Sequence, residues 1–221
     1  MRGIFVTGTD TGVGKSVLAA AICAALARQG ARVAAFKPVV TGTDDPPGEW
    51  PPDHELLAAQ TGQQPAEVTP RTFGPGVSPH LAAEMGGERV YPEEFAAGAR
   101  RAAEGADMLV CEGVGGLMVP LARNYLVRDL AVELGLPLVV VARPGLGTIS
   151  HTLLTVSAAR NAGLPVAGVV ITPWPAEADA LCVSNRETIE RLSGVTVSAL
   201  PPTEPGTLAE AGAGLPLDDW I

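Results

Sequence analysis

A short apolar run at residues 4–7 passes directly into Gly8-Thr9-Asp10-Thr11-Gly12-Val13-Gly14-Lys15-Ser16 and then into an Ala/Leu-rich helical stretch over 15–29. A strand, a glycine-rich loop and a helix in immediate succession form the context that a phosphate-binding loop demands. The backbone N–H groups of Gly12, Val13 and Gly14 can curl around phosphates, helped by the positive end of the helix dipole. Lys15 would reach the β- and γ-phosphates, and the Ser16 hydroxyl would ligate Mg²⁺. The spacing carries one irregularity. Counted back from Gly14, Thr9 stands where the first glycine is usual, and Gly8 lies one residue earlier.

The rest of the chain repeats the same alternation. Runs at 32–36, 108–111, 138–142, 166–171 and 195–199 read as strands, and 92–103, 127–134, 148–162 and 178–192 as helices. Near-continuous Val/Ile/Leu strands between helices predict an α/β fold, a mostly parallel sheet with helices on both faces. Gly30, Gly105, Gly135, Gly163 and Gly194 stand where helix C-caps favour glycine. With 221 residues the chain suits a single domain of the P-loop NTPase kind over 1–221. The stretch 38–90, rich in Pro, Gly, Thr and acids, breaks the rhythm and reads as a long irregular insertion with one short helix near 53–60.

Composition removes several function classes. The net charge is −9 and no cationic run exceeds Arg100-Arg101, so a clustered nucleic-acid face is not expected. The most apolar stretch, 130–142, is interrupted by Glu133 and Pro137 and is too short to span a bilayer. No signal peptide is visible, and Cys23, Cys111 and Cys182 build neither a disulfide framework nor a zinc pattern. A cytoplasmic protein without membrane or nucleic-acid partners is the expectation.

Of 15 cationic residues only Lys15 and Lys37 are lysines. Where Lys survives against such a bias toward Arg, the position points to a need for a compact charge on a flexible stem. Lys37 ends the second strand, at the edge of the crevice where open α/β sheets bind ligands, and its ammonium can meet an anion beside the γ-phosphate. Glu112 follows strand 108–111 and precedes the loop Gly113-Val114-Gly115-Gly116, a place suited to a metal-binding acid. Asp53, from spacing alone, reads equally as a helix N-cap and as a second carboxylate for the metal. His54, His80 and His151 show no ligand spacing, and no Ser/His/Asp or Cys/His constellation is evident.

Taken together, GTDTGVGKS (8–16), KPVVTG (37–42), Asp53 beside a short helix, SPH (78–80), CEGVGG (111–116) and LGTISH (146–151) resemble dethiobiotin synthetases in identity and order, from the first strand to about residue 200. The resemblance implies a homodimeric enzyme that joins 7,8-diaminopelargonate and CO₂ (or bicarbonate) into a cyclic urea, converting ATP to ADP and phosphate. It implies phosphate and metal roles for Lys15 and Ser16, with Asp53 and Glu112 as further Mg²⁺ ligands. Lys37, Thr11, Thr41 and Gly115 match substrate-side positions. Leu146, Gly147, Thr148 and Ser150 match the segment that receives the substrate carboxylate from the neighbouring subunit.

One departure bears on the nucleotide. Many family members carry Asn-Asp after the strand matching 166–171, and that Asn reads the adenine. Here Thr172-Pro173-Trp174-Pro175 follows instead, which leaves base preference open. Two other readings share the fold. A partitioning-type ATPase switch would carry a signature lysine where Asp10 stands, and a cobalamin-pathway amide-forming synthetase would need a glutaminase domain for which this chain has no room.

Overall fold

The computed structural model describes residues 1–46 and 48–221. The chain begins with β1 (Gly3–Gly8), α1 (Lys15–Arg28), β2 (Val33–Phe36) and β3 (Val40–Thr41). It continues through α2 (Asp53–Thr61), α3 (Pro65–Val68), β4 (Thr72–Phe73), α4 (Pro79–Met85) and α5 (Pro92–Ala102). Next come β5 (Met108–Gly116), β6 (Pro120–Ala122), β7 (Tyr125–Leu126), α6 (Val127–Leu134) and β8 (Leu138–Ala142). The last part holds α7 (Thr148–Asn161), β9 (Val166–Ile171), α8 (Ala180–Ser193), β10 (Val197–Ala199), α9 (Leu208–Ala213) and α10 (Leu217–Trp220).

Six strands form one sheet in the order β10-β9-β8-β1-β5-β2, and every pairing in it is parallel. The strand alternation feeds two separate cores. Phe5, Leu109, Cys111, Leu138 and Val140 pack on one face with α5, α6, α7 and α8. Ile4, Val6, Val110, Val139 and Val141 pack on the other with α1, α2, α9 and α10. Strands buried on both faces explain why the sequence shows unbroken Val/Ile/Leu runs instead of a period of two. The expected five glycines at helix ends all adopt positive φ.

Three parts differ from the sequence expectation. Segment 38–90 is irregular over more than half its length but holds more than one short helix: α2, α3 and α4 and the two-stranded pair β3–β4. Proline opens both α3 and α4 at a first-turn position, where its missing N–H costs nothing, so residues that read as breakers are starters. The strand beginning at Met108 runs on to Gly116, because Gly116 pairs with Gly8 of β1 beyond a register shift. The C-terminal helices α9 and α10 also escaped the pattern, being short.

Those C-terminal helices hold the phosphate-loop helix in place. α1 is apolar on all sides, with Leu18, Ile22, Cys23 and Leu26 buried between the sheet, α2 and α9. Gly212 of α9 approaches α1 so closely that a Cβ there would lie 2.0 Å from the Ala21 carbonyl oxygen. No helix among the described residues is long and apolar enough to cross a membrane. The contact makes a test. Gly212→Ala should lower stability by ~1–3 kcal/mol through overpacking, read as a fall of roughly 2–4 °C in Tm per kcal/mol. Gly206→Ala, in open space, is the control and should leave Tm unchanged. Equal Tm for both variants would contradict the close packing of α9 on α1.

Candidate active site

The phosphate loop closes on itself as a compact turn between β1 and α1. Gly14 precedes α1 in the left-handed region, φ 94°, and a Cβ there would sit 2.7 Å from Thr172 Cγ2. A Cβ on Gly8 would lie 2.8 Å from Val13 Cγ2 and 3.0 Å from Lys15 Cδ. The loop folds back over residue 8, which accounts for the glycine one position earlier than usual. Lys15 is 6% exposed, and its Nζ donates to the Asp10 carbonyl at 2.8 Å. Burial, reinforced by the nearby Lys37 charge, lowers its pKa to about 8.

Lys37 directly follows β2. Its N–H donates to the Val68 carbonyl at 2.9 Å, and its own carbonyl accepts from Thr69 Oγ1 at 2.9 Å. Thus pinned, the side chain is 3% exposed and its Nζ donates to Asp53 Oδ2 at 2.6 Å and Glu112 Oε1 at 2.5 Å. Asp53 opens α2 but makes no cap hydrogen bond; its carboxylate goes to Lys37 instead. Glu112 lies inside β5 and is 0% exposed. It is a strand residue in mid-sheet, not one in the loop after a strand, because β5 extends through the glycines. Ser16 Oγ donates to Glu112 Oε1 at 2.8 Å.

Burial and charge oppose each other in this cluster. Burial alone would lower the Lys37 pKa, but Glu112 and Asp53 reverse the effect and hold it above the usual lysine value. Burial pushes the Glu112 carboxyl up, and Lys37 only partly offsets that. For Asp53, burial also pushes upward, but Lys37 wins and the carboxyl falls below its ordinary value. The Lys37 ammonium lines the cavity and is held by two carboxylates, partners that spacing did not reveal.

The oxygens around that ammonium suit a hard cation. Ser16 Oγ meets Glu112 Oε1, and Glu112 Oε2 is fully buried without a hydrogen-bond partner. No group of three His, Cys, Asp or Glu side chains among the described residues could hold a metal by itself. Two carboxylates and a hydroxyl are what Mg²⁺ needs when phosphates and water complete its shell.

These groups border a cavity of about 910 Å³. Thr11, Gly12, Val13, Gly14, Lys15, Ser16, Lys37, Thr41, Asp53 and Gly115 all line it, whereas Glu112 stands behind Ser16 and Lys37. Leu146, Gly147, Thr148 and Ser150 do not line it. Leu146 and Gly147 lead into α7 and Thr148 and Ser150 lie in its first turn, with Leu146 92% exposed and Thr148 buried. Sequence reasoning missed other lining residues, Trp50, Pro201, Pro202 and Thr203, and gave no role to Ser78, which it noted only within the SPH motif. It also missed Arg143, whose Nη2 donates to Asp10 Oδ2 at 3.1 Å and to the Thr11 carbonyl at 3.3 Å, tying the phosphate loop to the end of β8. Partners 133 residues apart leave no local signal.

The buried pair yields a stability test. Lys37→Met leaves Glu112 buried without its partner and should cost ~3–5 kcal/mol. Adding Glu112→Gln removes the stranded charge, so the double variant should regain part of that loss. A thermal-unfolding cycle measures the coupling, and strictly additive losses would contradict a direct buried interaction.

A family model described as an AAA domain matches residues 2–210. The ATP-dependent dethiobiotin synthetase BioD of Bacillus subtilis strain 168 is 39% identical over 206 residues, covering 91% of this chain and 87% of the relative. The protein of the same name from Anaeromyxobacter dehalogenans strain 2CP-1 is 42% identical over 206 residues, covering 93% and 92%. Among solved structures, a ParA family ATPase from Chlorobium tepidum TLS aligns with a TM-score of 0.58 at 15% identity, covering 98% of this chain and 92% of that one. That likeness is of fold alone. The strand–loop–helix context, the buried lysine and these relatives agree: the chain belongs to the ATP-dependent dethiobiotin synthetase family.

Proposed function

We propose that this chain synthesises dethiobiotin from 7,8-diaminopelargonate, CO₂ and ATP, releasing ADP and phosphate. The observation that carries the reading is one cavity lined by Lys15, Ser16, Lys37, Thr41 and Asp53, with Glu112 behind them, in a chain of this family. Its volume, about 910 Å³, is in the range of ligand pockets.

In this reading one substrate amine captures CO₂ as a carbamate. A carbamate oxygen attacks the γ-phosphorus, the bond to the bridging oxygen breaks and ADP leaves. The amides of Gly12, Val13 and Gly14 hold the phosphates in line, and Lys15 and Lys37 face the charge that develops on the transferred group. Ser16, Asp53 and Glu112 would hold Mg²⁺, which when bound supplies positive charge at the phosphates. The second amine then attacks the carbonyl carbon of the carbamic-phosphoric anhydride, and phosphate departs. Thr11, Thr41 and Gly115 keep both amines near the reacting carbon, so ring closure is intramolecular. No side-chain nucleophile is needed.

The direct assay is incubation with the diamino acid, bicarbonate, Mg²⁺ and ATP, followed by mass spectrometry. Gain of a carbonyl with loss of two hydrogens, alongside phosphate release, is expected. Absence of product with every nucleoside triphosphate sinks the reading. Lys15→Ala should raise the KM for ATP as well as lower kcat. Lys37→Met, assayed below its Tm, should lower kcat by more than ~100-fold with a smaller change in KM, as for a group acting in the transition state.

The base end of the cavity carries a second expectation. Pro173, Pro201 and Pro202 line it and have no N–H to offer, and the Thr172 N–H is already given to the Ala142 carbonyl at 2.9 Å. No asparagine or glutamine is among the described lining residues. Weak discrimination among ATP, GTP and CTP follows, because sites reject analogues strongly only where they hydrogen-bond them. A several-hundredfold preference for ATP in kcat/KM would refute it.

The carboxylate end of the substrate points to a homodimer. Lys15 and Lys37, the only lysines, are engaged elsewhere, while the Gly147–Ser150 turn opens the fourteen-residue α7 outside this chain's own cavity. The exposed Ser150 hydroxyl and the first-turn N–H groups of α7 suit a carboxylate offered by a second copy's site. The three free, buried cysteines fit a reducing compartment, and the proposal assigns the enzyme to the cytoplasm. Mixing a Lys37→Met chain with one bulky at Gly147 and Ser150 should restore activity in the hybrid. Subunit exchange without restored activity would remove the shared site.

A further inference from the structure

Ring closure leaves one task unassigned. The attacking amine becomes positively charged as its bond to carbon forms, and a proton must leave it before phosphate is expelled irreversibly. Lys15 and Lys37 line the cavity but serve the phosphates, and Asp53 is bound to Lys37. Asp45 and Glu49 also line it.

Ser78 supplies a different kind of group. It lines the cavity and precedes α4 at the N-cap position, where a serine hydroxyl ordinarily accepts a backbone N–H of the first turn. No such cap hydrogen bond forms here. The Ser78 hydroxyl lies instead 3.0 Å from His80 Nδ1. Pro79 between them lacks an N–H that could compete for that oxygen. His80 is only half-buried, so its second ring nitrogen can exchange protons with water. Imidazole is the side chain whose proton affinity suits transfer near neutral pH.

Resting on the function proposed above, we propose that Ser78 and His80 form a proton relay for ring closure. The tautomer required carries hydrogen on Nε2, so that Ser78 Oγ–H donates to His80 Nδ1. As the amine nitrogen bonds to the carbonyl carbon, its proton passes to Ser78 Oγ while the serine proton passes to Nδ1. The carbon–oxygen bond to phosphate breaks, phosphate departs with that electron pair, and the imidazolium returns to neutral by losing a proton to solvent. Ser78 is the residue that meets the substrate; His80 acts through it. Carbamate phosphorylation precedes this step and does not depend on it.

The test separates the two half-reactions. Rapid-quench assays of the full enzyme with the diamino acid, bicarbonate and Mg²⁺·ATP should show ADP and dethiobiotin in equal amounts for the wild type. His80→Asn keeps a hydrogen-bonding group toward Ser78 but has no useful proton affinity. Its dethiobiotin rate should fall ~100-fold or more, the usual weight of general acid–base catalysis. ADP release should fall less, so that ADP exceeds product as the stranded anhydride hydrolyses, with the KM for ATP unchanged. Ser78→Ala should behave alike, and added imidazole should partly restore product formation to His80→Ala. Dethiobiotin formation within about threefold of wild type in His80→Asn overturns the relay. So does an equal fall in ADP and product, the mark of a merely structural role. A wild type that makes no dethiobiotin overturns the proposed function itself, a result distinct from either.

Discussion

The site depends on one buried ammonium held between two carboxylates, Glu112 wholly buried and Asp53 partly open to the cavity. Taking an unpaired ion out of water costs several kcal/mol even after relaxation, so Lys37 and Glu112 are tolerable there only as a pair, with the more exposed Asp53 as the ammonium's second partner. Each arrives on a different element: the end of β2, the first turn of α2 and the middle of β5. Ser16 joins from α1 through Glu112. The cluster thereby ties the phosphate-loop helix to the sheet and to the 38–90 segment, and it fixes charge in position before any ligand arrives. Preorganised charge in a dry site needs no rearrangement as the reaction proceeds, which is the main electrostatic advantage a phosphoryl-transfer site can have.

The same architecture serves proteins of other function, and a few side chains separate them. The ParA family ATPase aligned above shares the fold. In this chain Asp10 stands where the partitioning-type reading needs a lysine, and the structure gives that carboxylate a local task. It accepts from the Thr11 N–H and from Arg143, closing the front of the phosphate loop. At the far side of the cavity prolines replace hydrogen-bonding groups, so the phosphate end, not the base end, dominates recognition in the proposed function.

Much of this was legible in the sequence, for identifiable reasons. The six sheet strands are buried on both faces, so each appears as an apolar run bounded by helix signals. Lys15 and Ser16 follow from the loop motif, and Lys37 stands out because this chain otherwise uses Arg. Asp53 needed the family resemblance, since a carboxylate at the head of a helix serves equally as a cap. The extent of β5 was hidden by Gly113, Gly115 and Gly116, which read as a loop but continue the ladder beside β1. The pairing of Lys37 with two acids was hidden as well: its partners lie 16 and 75 residues away. Segment 38–90 misled because its prolines open short helices instead of preventing them.

The two lysines make the central electrostatic claim directly measurable. In metal-free, nucleotide-free protein labelled at lysine with ¹³C and ¹⁵N, NMR should resolve two side chains and follow each with pH. Lys15, buried in the loop and repelled by Lys37, should titrate with a pKa of about 8. Lys37, between Glu112 and Asp53, should remain an ammonium to above the ordinary lysine value of 10.5. Glu112→Gln assigns the second signal by shifting its titration downward. Two lysines that titrate together, or a Lys37 that loses its proton first, would contradict the buried ion cluster on which the account rests.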